Sequence, residues 1–290
     1  MLVQFDCYKC LFNQVVEMAK NSSADDRERR KMLKKFISQI VEHADSLTPP
    51  EMASVFYETY CRETGVADPF ALEKEKSTEI AHQLYGELAD TVAASADPFA
   101  TALRFAIGGN VIDFGATPDF KLSEVVGAVR ETAALPVDED AIEKLRHAAA
   151  NARNILYILD NCGEAVIDRL LIEQIGTHKI TLGVRGKPIL NDVTRAELAA
   201  SGLADLPVID TGDRTPGVSM RFSSQEFLQK LYGADLIIAK GQGNFESLGD
   251  APLENEIFFL FRVKCPVIRM QTGAPLGSLQ IRQKFSHKDA

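Results

Sequence analysis

The sequence lacks several features that would each indicate a particular class of protein. No apolar run reaches the roughly 20 residues that a transmembrane helix needs, and residues 1–6 show no basic segment followed by an apolar one, so we expect no signal peptide. Basic residues are outnumbered by acidic ones, 32 to 41, which gives a net charge of −9 and disfavours non-specific nucleic-acid binding. These absences predict a soluble cytoplasmic protein that binds neither membranes nor nucleic acid.

Cysteine and histidine are scarce. The five cysteines are an odd number in a chain of 290 residues, which argues against a disulfide framework. Cys7 and Cys10 form a CxxC pair, but a zinc module needs two further ligands, and no second pair or nearby histidine exists. We interpret the cysteines as buried, reduced thiols, with metal binding or redox use as alternatives. No histidine lies in a motif, which disfavours a His-based acid–base mechanism.

The first half of the chain has apolar residues at helical spacing. An apolar content of 46% allows an ordinary core. The spacing predicts a mostly helical N-terminal region over residues 1–152. Its helical segments are expected near residues 11–19, 32–41, 52–60, 71–94, 99–107, 122–132 and 139–152.

The second half alternates short apolar runs with amphipathic ones. This alternation predicts an α/β domain over residues 153–290, with a mostly parallel sheet in three layers and the helical region packed against it. Residues 263–265 are too few for a crossover helix, so the last two strands form either a hairpin or one broken strand. Helices are expected near 163–175, 193–201, 223–232 and 243–249, and strands near 154–159, 179–184, 206–210, 235–240, 256–261 and 266–269.

Oxygen-bearing side chains follow two successive predicted strands. Asp160, Asn161 and Glu164 come after the first strand, and Asn191 and Asp192 after the second. Ligands of open α/β sheets bind at the carboxyl ends of strands, and carboxylate and amide oxygens suit a hard divalent cation. The alternative is that Asp160, like Asn191 and Asp192, only caps the helix that follows it. Taken together, the residues favour a metal site.

A glycine-rich turn at residues 241–243 follows a third predicted strand. Gly241 allows close approach of an anion, the following helix adds its positive end, and Lys240 adds a cation. The segment matches neither a Walker loop nor a dinucleotide fingerprint, so a simple tight turn is the alternative. Lys264 follows a late apolar strand and is either an ordinary solvated lysine or a second cation of the same crevice.

A break in the helical half supplies further polar candidates. Arg104 precedes the segment 108–115, whose paired glycines fit an ordinary helix end. Alternatively, Asn110 and Asp113 in this break reach across to the α/β half.

In their order along the chain, these segments resemble the damage-control phosphatases, long known as a domain family of unknown function. The CxxC pair resembles the short, stand-alone prokaryotic or archaeal branch of that family. The matching stretches cover nearly the whole chain and are residues 7–11, 68–70 with Lys74, Arg104 with 109–113, 160–164, 186–188 with 191–194, 240–246 and 264–265.

The resemblance implies a helical region packed on an α/β domain, and one bound divalent metal. Its ligands would be Asp160, Asn161 and Asp192. The implied activity is hydrolysis of phosphate esters of small metabolites, including sugar phosphates and damaged phosphopantetheine compounds, with Mn²⁺, Co²⁺, Ni²⁺ or Mg²⁺. The residues implied to handle the phosphate or the substrate are Lys240, Asn244 and Lys264, with Arg104, Asn110 and Asp113 nearby.

The sequence therefore predicts a metal-dependent phosphomonoester hydrolase, with Asp160, Glu164 and Asp192 as catalytic candidates. Water oriented by Glu164 is the simplest nucleophile, and Asp160 or Asp192 is the alternative. A rival hypothesis is a carboxyl methyltransferase that uses S-adenosylmethionine, suggested by the glycine-rich turn and by a eukaryotic branch of the family. The non-enzymatic alternative is a metal- or metabolite-binding protein. The oligomeric state is left open.

Overall fold

The computed structural model describes residues 1–22, 25–111, 127–131 and 134–284. The first half is helical, as predicted. Helix α3 shows why: Thr48 and Glu51 form a capping box and Pro49 occupies the first turn. The prediction for 122–132 lies mostly outside the described residues, of which 127–131 are helical. The helices are α1 (Cys7–Asn21), α2 (Asp26–His43), α3 (Pro49–Thr64), α4 (Ala71–Ala94), α5 (Pro98–Gly108) and α6 (Glu139–Asn151).

The second half forms one sheet with the strand order β3-β2-β1-β4-β5-β6. The first five strands pair in parallel, and β6 runs antiparallel to β5. The strands are β1 (Ile155–Ile158), β2 (Ile180–Val184), β3 (Val208–Asp210), β4 (Leu236–Lys240), β5 (Glu256–Arg262) and β6 (Leu279–Lys284), and the helices are α7 (Cys162–Ile175), α8 (Gln225–Tyr232), α9 (Gln242–Leu248) and α10 (Pro266–Thr272).

Helices cover both faces of the sheet, which confirms the predicted three-layer α/β fold. On one face, Leu103 of α5 and Leu170 of α7 share a core with Tyr157 of β1. On the other face, Phe227 of α8 packs with Ile158 of β1. Helices α1 to α3 form a third core, which the sheet half joins through residues such as Ile189. The division at residue 152 stays a prediction.

Two predicted elements in the second half are wrong. Residues 266–269 are not a strand but the start of helix α10, because Pro266 suits a first helical turn and the Cys265 Sγ accepts the Ile268 N–H at 3.5 Å. The predicted helix at 193–201 is reduced to a 3₁₀ turn at Arg195–Glu197. The final strand β6 was missed, because only Leu279 and Ile281 of its residues are buried.

Among the described residues, no helix is both long enough and apolar enough to cross a membrane.

Candidate active site

A cleft of about 310 Å³ lies at the carboxyl ends of β1 and β4, next to the loop that follows β2. Helices α1 and α3 of the N-terminal half form the opposite wall. Because parallel strands end at one edge of the sheet, residues far apart in sequence meet there. The lining residues are Asp6, Cys7, Cys10, Leu11, Gln14, Pro49, Pro50, Ala53, Asp160, Asn161, Leu190, Asn191, Asp192, Pro216, Gln242, Gly243, Glu246, Lys264, Cys265, Pro266 and Val267.

Backbone hydrogen bonds bring the two acidic segments together. The N–H of Val193 donates to the Asp160 carbonyl at 2.9 Å, and the N–H of Cys162 donates to the Asn191 carbonyl at 2.9 Å. Asn161 and Asp192 pair as an isolated antiparallel bridge. The predicted convergence of Asp160, Asn161 and Asp192 is therefore present in the structure.

The loop that carries Asp192 contains an unusual backbone conformation. Leu190 has a φ of 45°, in the left-handed region that a bulky residue rarely adopts. The Asp192 N–H closes the turn on the Ile189 carbonyl at 3.1 Å. Such a conformation costs on the order of 1 kcal/mol or more and persists where the surroundings fix it. Here the turn fixes the position of Asp192 against β1.

The alternative of simple helix capping does not describe these side chains. Asn161 stands at the N-cap of α7, yet it makes no side-chain capping hydrogen bond. The 3₁₀ turn after Asp192 has its own capping box, formed by Thr194 and Glu197. The start of α7 therefore has no side-chain cap, and the start of the 3₁₀ turn is capped by Thr194 and not by Asp192.

Arg185, which the sequence analysis did not single out, links the two carboxylates. Its Nε donates to Asp192 Oδ2 at 2.7 Å, and its Nη2 lies 3.6 Å from Asp160 Oδ1. Its Nη1 donates to the Gly217 carbonyl at 2.9 Å and to Asn244 Oδ1 at 3.4 Å. The guanidinium is fully buried. The only sequence signal was its position directly after β2, at the same sheet edge as the acids.

A set of amide groups joins Asp160 to Glu164. The Asn110 Nδ2 donates to Asp160 Oδ2 at 3.2 Å and to Glu164 Oε2 at 2.6 Å. The Asn161 Nδ2 donates to the same two oxygens, at 3.2 and 3.4 Å. Of the two interpretations of this break, the structure shows that Asn110 does reach across to the α/β half. Metal ligation by Asn161 would use its Oδ1, because its nitrogen is already engaged.

Lys240 lies below the cleft and does not line it. Its ammonium is fully buried and donates to the Ala106 carbonyl at 2.8 Å, to Asp168 Oδ1 at 2.6 Å and to Glu164 Oε1. All three ammonium protons thus have protein acceptors. The structure places Lys240 under Glu164, so it does not bring this lysine to the surface that a phosphate would contact.

The glycines after β4 are required by close packing. A Cβ at Gly241, whose φ is +80°, would lie 1.9 Å from Asp160 Oδ2, and one at Gly243 would lie 2.1 Å from the Pro216 carbonyl oxygen. The Gly241 N–H donates to the Leu260 carbonyl at 2.9 Å. The turn is therefore filled by protein atoms, which argues against the nucleotide loop of the methyltransferase hypothesis. A role of Gly241 in phosphate binding stays a prediction.

The remaining candidates are divided between the cleft and other places. Lys264 is exposed and lines the cleft. Asn244 is buried, and its Nδ2 donates to the Lys240 carbonyl at 2.6 Å. Arg104 pairs with Glu139 of α6 and does not line the cleft. Asp113 lies outside the described residues.

The buried charges at this edge of the sheet do not balance. Two buried cations, Arg185 and Lys240, face four buried acids, namely Asp160, Glu164, Asp168 and Asp192, so full ionisation of the buried groups leaves an excess of two negative charges. The exposed Lys264 beside Asp160 offsets one of them. Burial raises the pKa of Asp160 well above its usual range, and the charges of Asp192 and Glu164 raise it further. A divalent cation would offset this excess.

The donor set fits a hard divalent ion. In the parts of the chain that the structure describes, no three His, Cys, Asp or Glu side chains are arranged to hold one ion. The predicted set is instead two carboxylates, Asp160 and Asp192, with the amide oxygen of Asn161. Oxygen ligands of this kind are typical of Mg²⁺ and Mn²⁺, which retain several waters when few protein groups bind them.

Comparison with known proteins identifies the family of this chain. The profile of the damage-control phosphatase ARMT1-like domain matches residues 3–279. A damage-control phosphatase of Pyrococcus horikoshii is 35% identical, over 98% of this chain and 99% of the relative. A damage-control phosphatase of Archaeoglobus fulgidus is 29% identical, over 94% and 96%.

A solved structure shows the same fold. The crystal structure of a DUF89 family protein from Pyrococcus horikoshii superposes with a TM-score of 0.85 at 33% identity, covering 98% of this chain and 100% of the other. The resemblance expected from the sequence is thereby confirmed, and the chain belongs to the damage-control phosphatase ARMT1-like domain family.

Proposed function

We propose that this protein is a metal-dependent phosphatase that hydrolyses phosphomonoesters of small metabolites in the cleft described above. Membership of a family whose relatives are named phosphatases supports a hydrolase. The observation that carries the finer proposal is the meeting of Asp160 and Asp192 with the exposed Lys264 on one cleft.

Asp160, Asp192 and the Asn161 Oδ1 would hold the cation, which we propose to be Mn²⁺, Co²⁺, Ni²⁺ or Mg²⁺. When bound, a divalent ion neutralises charge on a phosphoryl oxygen and lowers the pKa of a coordinated water. Arg185 keeps the two carboxylates in place from the side, with its Nε 2.7 Å from Asp192 Oδ2. The amides of Asn110 and Asn161 orient Asp160 and Glu164.

Lys264 would bind the phosphoryl oxygens that the ion does not contact. Its side chain lines the cleft, and its charge lowers the pKa of Asp160 against the dominant effect of burial. Lys240 would act only through Glu164, since its ammonium is already saturated. Both Glu164 oxygens accept hydrogen bonds, so we assign Glu164 mainly to positioning; water and a carboxylate remain the two candidate nucleophiles.

The dimensions of the cleft support a small substrate. A volume of about 310 Å³ is at the lower end of the range for small-molecule sites. Leu11, Pro50 and Val267 form an apolar part of the cleft wall, next to the acidic residues Asp160 and Asp192. A sugar phosphate or a phosphopantetheine-like compound is the substrate class proposed, with no nucleic-acid or membrane partner.

The experiment is phosphate release by metal-stripped protein. We expect activity on an aryl phosphate and on a panel of sugar phosphates when Mn²⁺, Co²⁺, Ni²⁺ or Mg²⁺ is added, and none with EDTA. The exposed Asp90 of α4 provides a matched control, because Asp90→Asn changes the same charge far from the cleft lining. Activity that survives both EDTA and Asp160→Ala would reject the assigned site. Saturable binding of S-adenosylmethionine without phosphate release would favour the methyltransferase.

A further inference from the structure

Three thiols line the rim of the cleft and have no part in the chemistry proposed above. Cys7 and Cys10 lie in the first turn of α1, and Cys265 directly precedes α10 on the other side. The chain has two further cysteines, Cys61 and Cys162, and neither lines the cleft. Three of five cysteines are thus gathered at one opening.

The rim thiols are close to one another. Cys7 and Cys10 are three residues apart on one helix, so they share a face with Cβ atoms about 5–6 Å apart. The pKa of the Cys7 thiol is raised, first by burial and then by the nearby acidic groups Glu246, Cys265 and Cys10, while the Gln4 N–H lowers it. Cys265 lines the same cleft as the CxxC pair.

Cys265 is itself anchored at the rim. The Gln242 Nε2 lies 3.6 Å from its Sγ and donates to Glu246 Oε1 at 2.7 Å. Its Sγ also accepts from the Ile268 N–H at 3.5 Å. The Cys265 sulfur thus has two hydrogen-bond donors from its own side of the cleft. The CxxC pair lies on the other side, in the first turn of α1.

The two CxxC thiols differ in exposure. Cys10 is exposed, while Cys7 is 9% exposed and its Sγ accepts the Gln4 N–H at 3.4 Å. An exposed thiol beside a second, protected one allows the first to be oxidised and the second to resolve it. A disulfide needs Cβ atoms about 3.5–4.5 Å apart, which requires a shift of only about 1–2 Å at a helix end.

We propose that Cys7 and Cys10 form a peroxide-reactive site at the rim of the cleft. The Cys10 sulfur attacks a peroxide oxygen, the O–O bond breaks, and Cys10 becomes a sulfenic acid while water leaves. The Cys7 sulfur then attacks the Cys10 sulfur, the S–O bond breaks, and the departing hydroxide takes the proton of the Cys7 thiol. One hydrogen peroxide and two thiols thus give one disulfide and two waters.

Metal binding by the same thiols is the competing use. A tetrahedral zinc site requires four ligands at fixed distances. Within the described residues, no three side chains among His, Cys, Asp and Glu are placed to hold one ion, even though Cys7, Cys10, Cys265 and Glu246 share the rim. The arrangement therefore favours oxidation of Cys7 and Cys10 over zinc coordination by the four rim residues.

The test is peptide mapping of the intact protein after treatment with substoichiometric hydrogen peroxide and alkylation of the remaining thiols. Trypsin separates Cys7 (residues 1–9), Cys10 (residues 10–20) and Cys265 (residues 265–269) into different peptides. We expect peptides 1–9 and 10–20 joined by a disulfide that dithiothreitol reverses, formed faster than oxidation of Cys61, because Cys10 is exposed and Cys61 is only partly so. This readout does not depend on the phosphatase proposal.

Two variants and a control complete the design. Cys7→Ser should leave a sulfenic acid on Cys10 that dimedone traps, and Cys10→Ser should abolish both products. Cys61→Ser is the matched control, because Cys61 does not line the cleft. Its Sγ accepts a hydrogen bond from Arg214 Nη1 at 3.0 Å. Linkage of residues 10–20 to residues 265–269, equal oxidation of Cys61, or stoichiometric zinc that is lost in Cys7→Ser would each overturn the proposal.

Discussion

Two layers of charge lie at the carboxyl edge of the sheet, and they differ in what they contact. The upper layer, formed by Asp160, Asn161, Asp192 and Lys264, lines the cleft. The lower layer, formed by Glu164, Asp168 and Lys240, is fully buried, and its members bond mainly to one another. Both layers contain acids and a lysine, yet only the upper one can touch a substrate.

The difference shows that residue type alone does not distinguish residues that can contact a substrate from residues that stabilise the fold. In the lower layer each charge is paired inside the protein, so removing one leaves its partners buried and unpaired. In the upper layer Asp160 and Asp192 are buried but line the cleft, and Lys264 is exposed there. Removing one of these charges should therefore have a smaller effect on folding and a larger effect on binding. Mutations in the two layers should therefore be separable by comparing stability with activity.

Lys240→Met should have the largest effect, and it should act on stability. The substitution leaves Glu164 and Asp168 buried without their cation, which we expect to lower the free energy of unfolding by about 3–5 kcal/mol. Urea unfolding followed by circular dichroism measures this loss. Unchanged stability with lost phosphatase activity would place Lys240 in the upper layer instead.

Asp160→Asn should have the next largest effect, and it should act on activity. We expect phosphate release to fall about 10²–10³-fold, since on the proposed mechanism the variant loses a charged metal ligand beside the reacting group. Stability should not fall, because the change removes a buried carboxylate that repels Asp192 and Glu164. Thermal unfolding beside the Asp90→Asn control gives the comparison, and a large drop in melting temperature would contradict the assignment.

Lys264→Met is the counterpart of Lys240→Met in the upper layer. Because the Lys264 side chain is exposed at the cleft, we expect a change in unfolding free energy within about 0.5 kcal/mol. The KM for a phosphate ester should rise about tenfold with the loss of one charge-assisted contact. Steady-state kinetics at saturating metal provide the measurement. An unaltered KM would remove Lys264 from the phosphate site.

A pH dependence of stability is also expected from the lower layer. Burial raises the pKa of Asp168 to about 7, against the opposing charge of Lys240. The folded state thus holds this proton more tightly than the unfolded state, so the contribution to stability is full below the ordinary pKa of about 4 and is lost as the pH rises through about 7. Asp168→Asn should remove that decline between pH 4 and 7. Parallel pH–stability curves for the variant and the wild type would contradict it.

Much of the upper layer could be predicted because it depends on local pattern. β1 and β2 are apolar runs that end abruptly, and parallel strands bring their ends together, so Asp160, Asn161 and Asp192 were recognisable. Long amphipathic helices such as α4 were equally clear. β6 escaped because its residues are mainly polar, and residues 266–269 were misassigned because a short apolar run fits both a strand and a helix.

The depth of a charged side chain could not be predicted in the same way. Lys240 and Lys264 both follow apolar strands, but contacts with α5 and α7 bury the first and leave the second at the rim. Arg185 looked like an ordinary loop cation, because its partners Asp192, Gly217 and Asn244 come from three later segments. Long-range packing of this kind leaves no periodic signal in the sequence.

The position of Arg185 has a consequence for the protein between catalytic cycles. The Arg185 guanidinium lies beside both carboxylates and acts as their counter-ion, so Asp160 and Asp192 need no bound metal ion to stay close together. On the proposed metal-dependent mechanism, an incoming cation would meet ligands that are already spaced, and its departure would leave the loop after β2 folded. Chelation should then switch the enzyme off without loosening its architecture, which would make metal supply a reversible control on turnover.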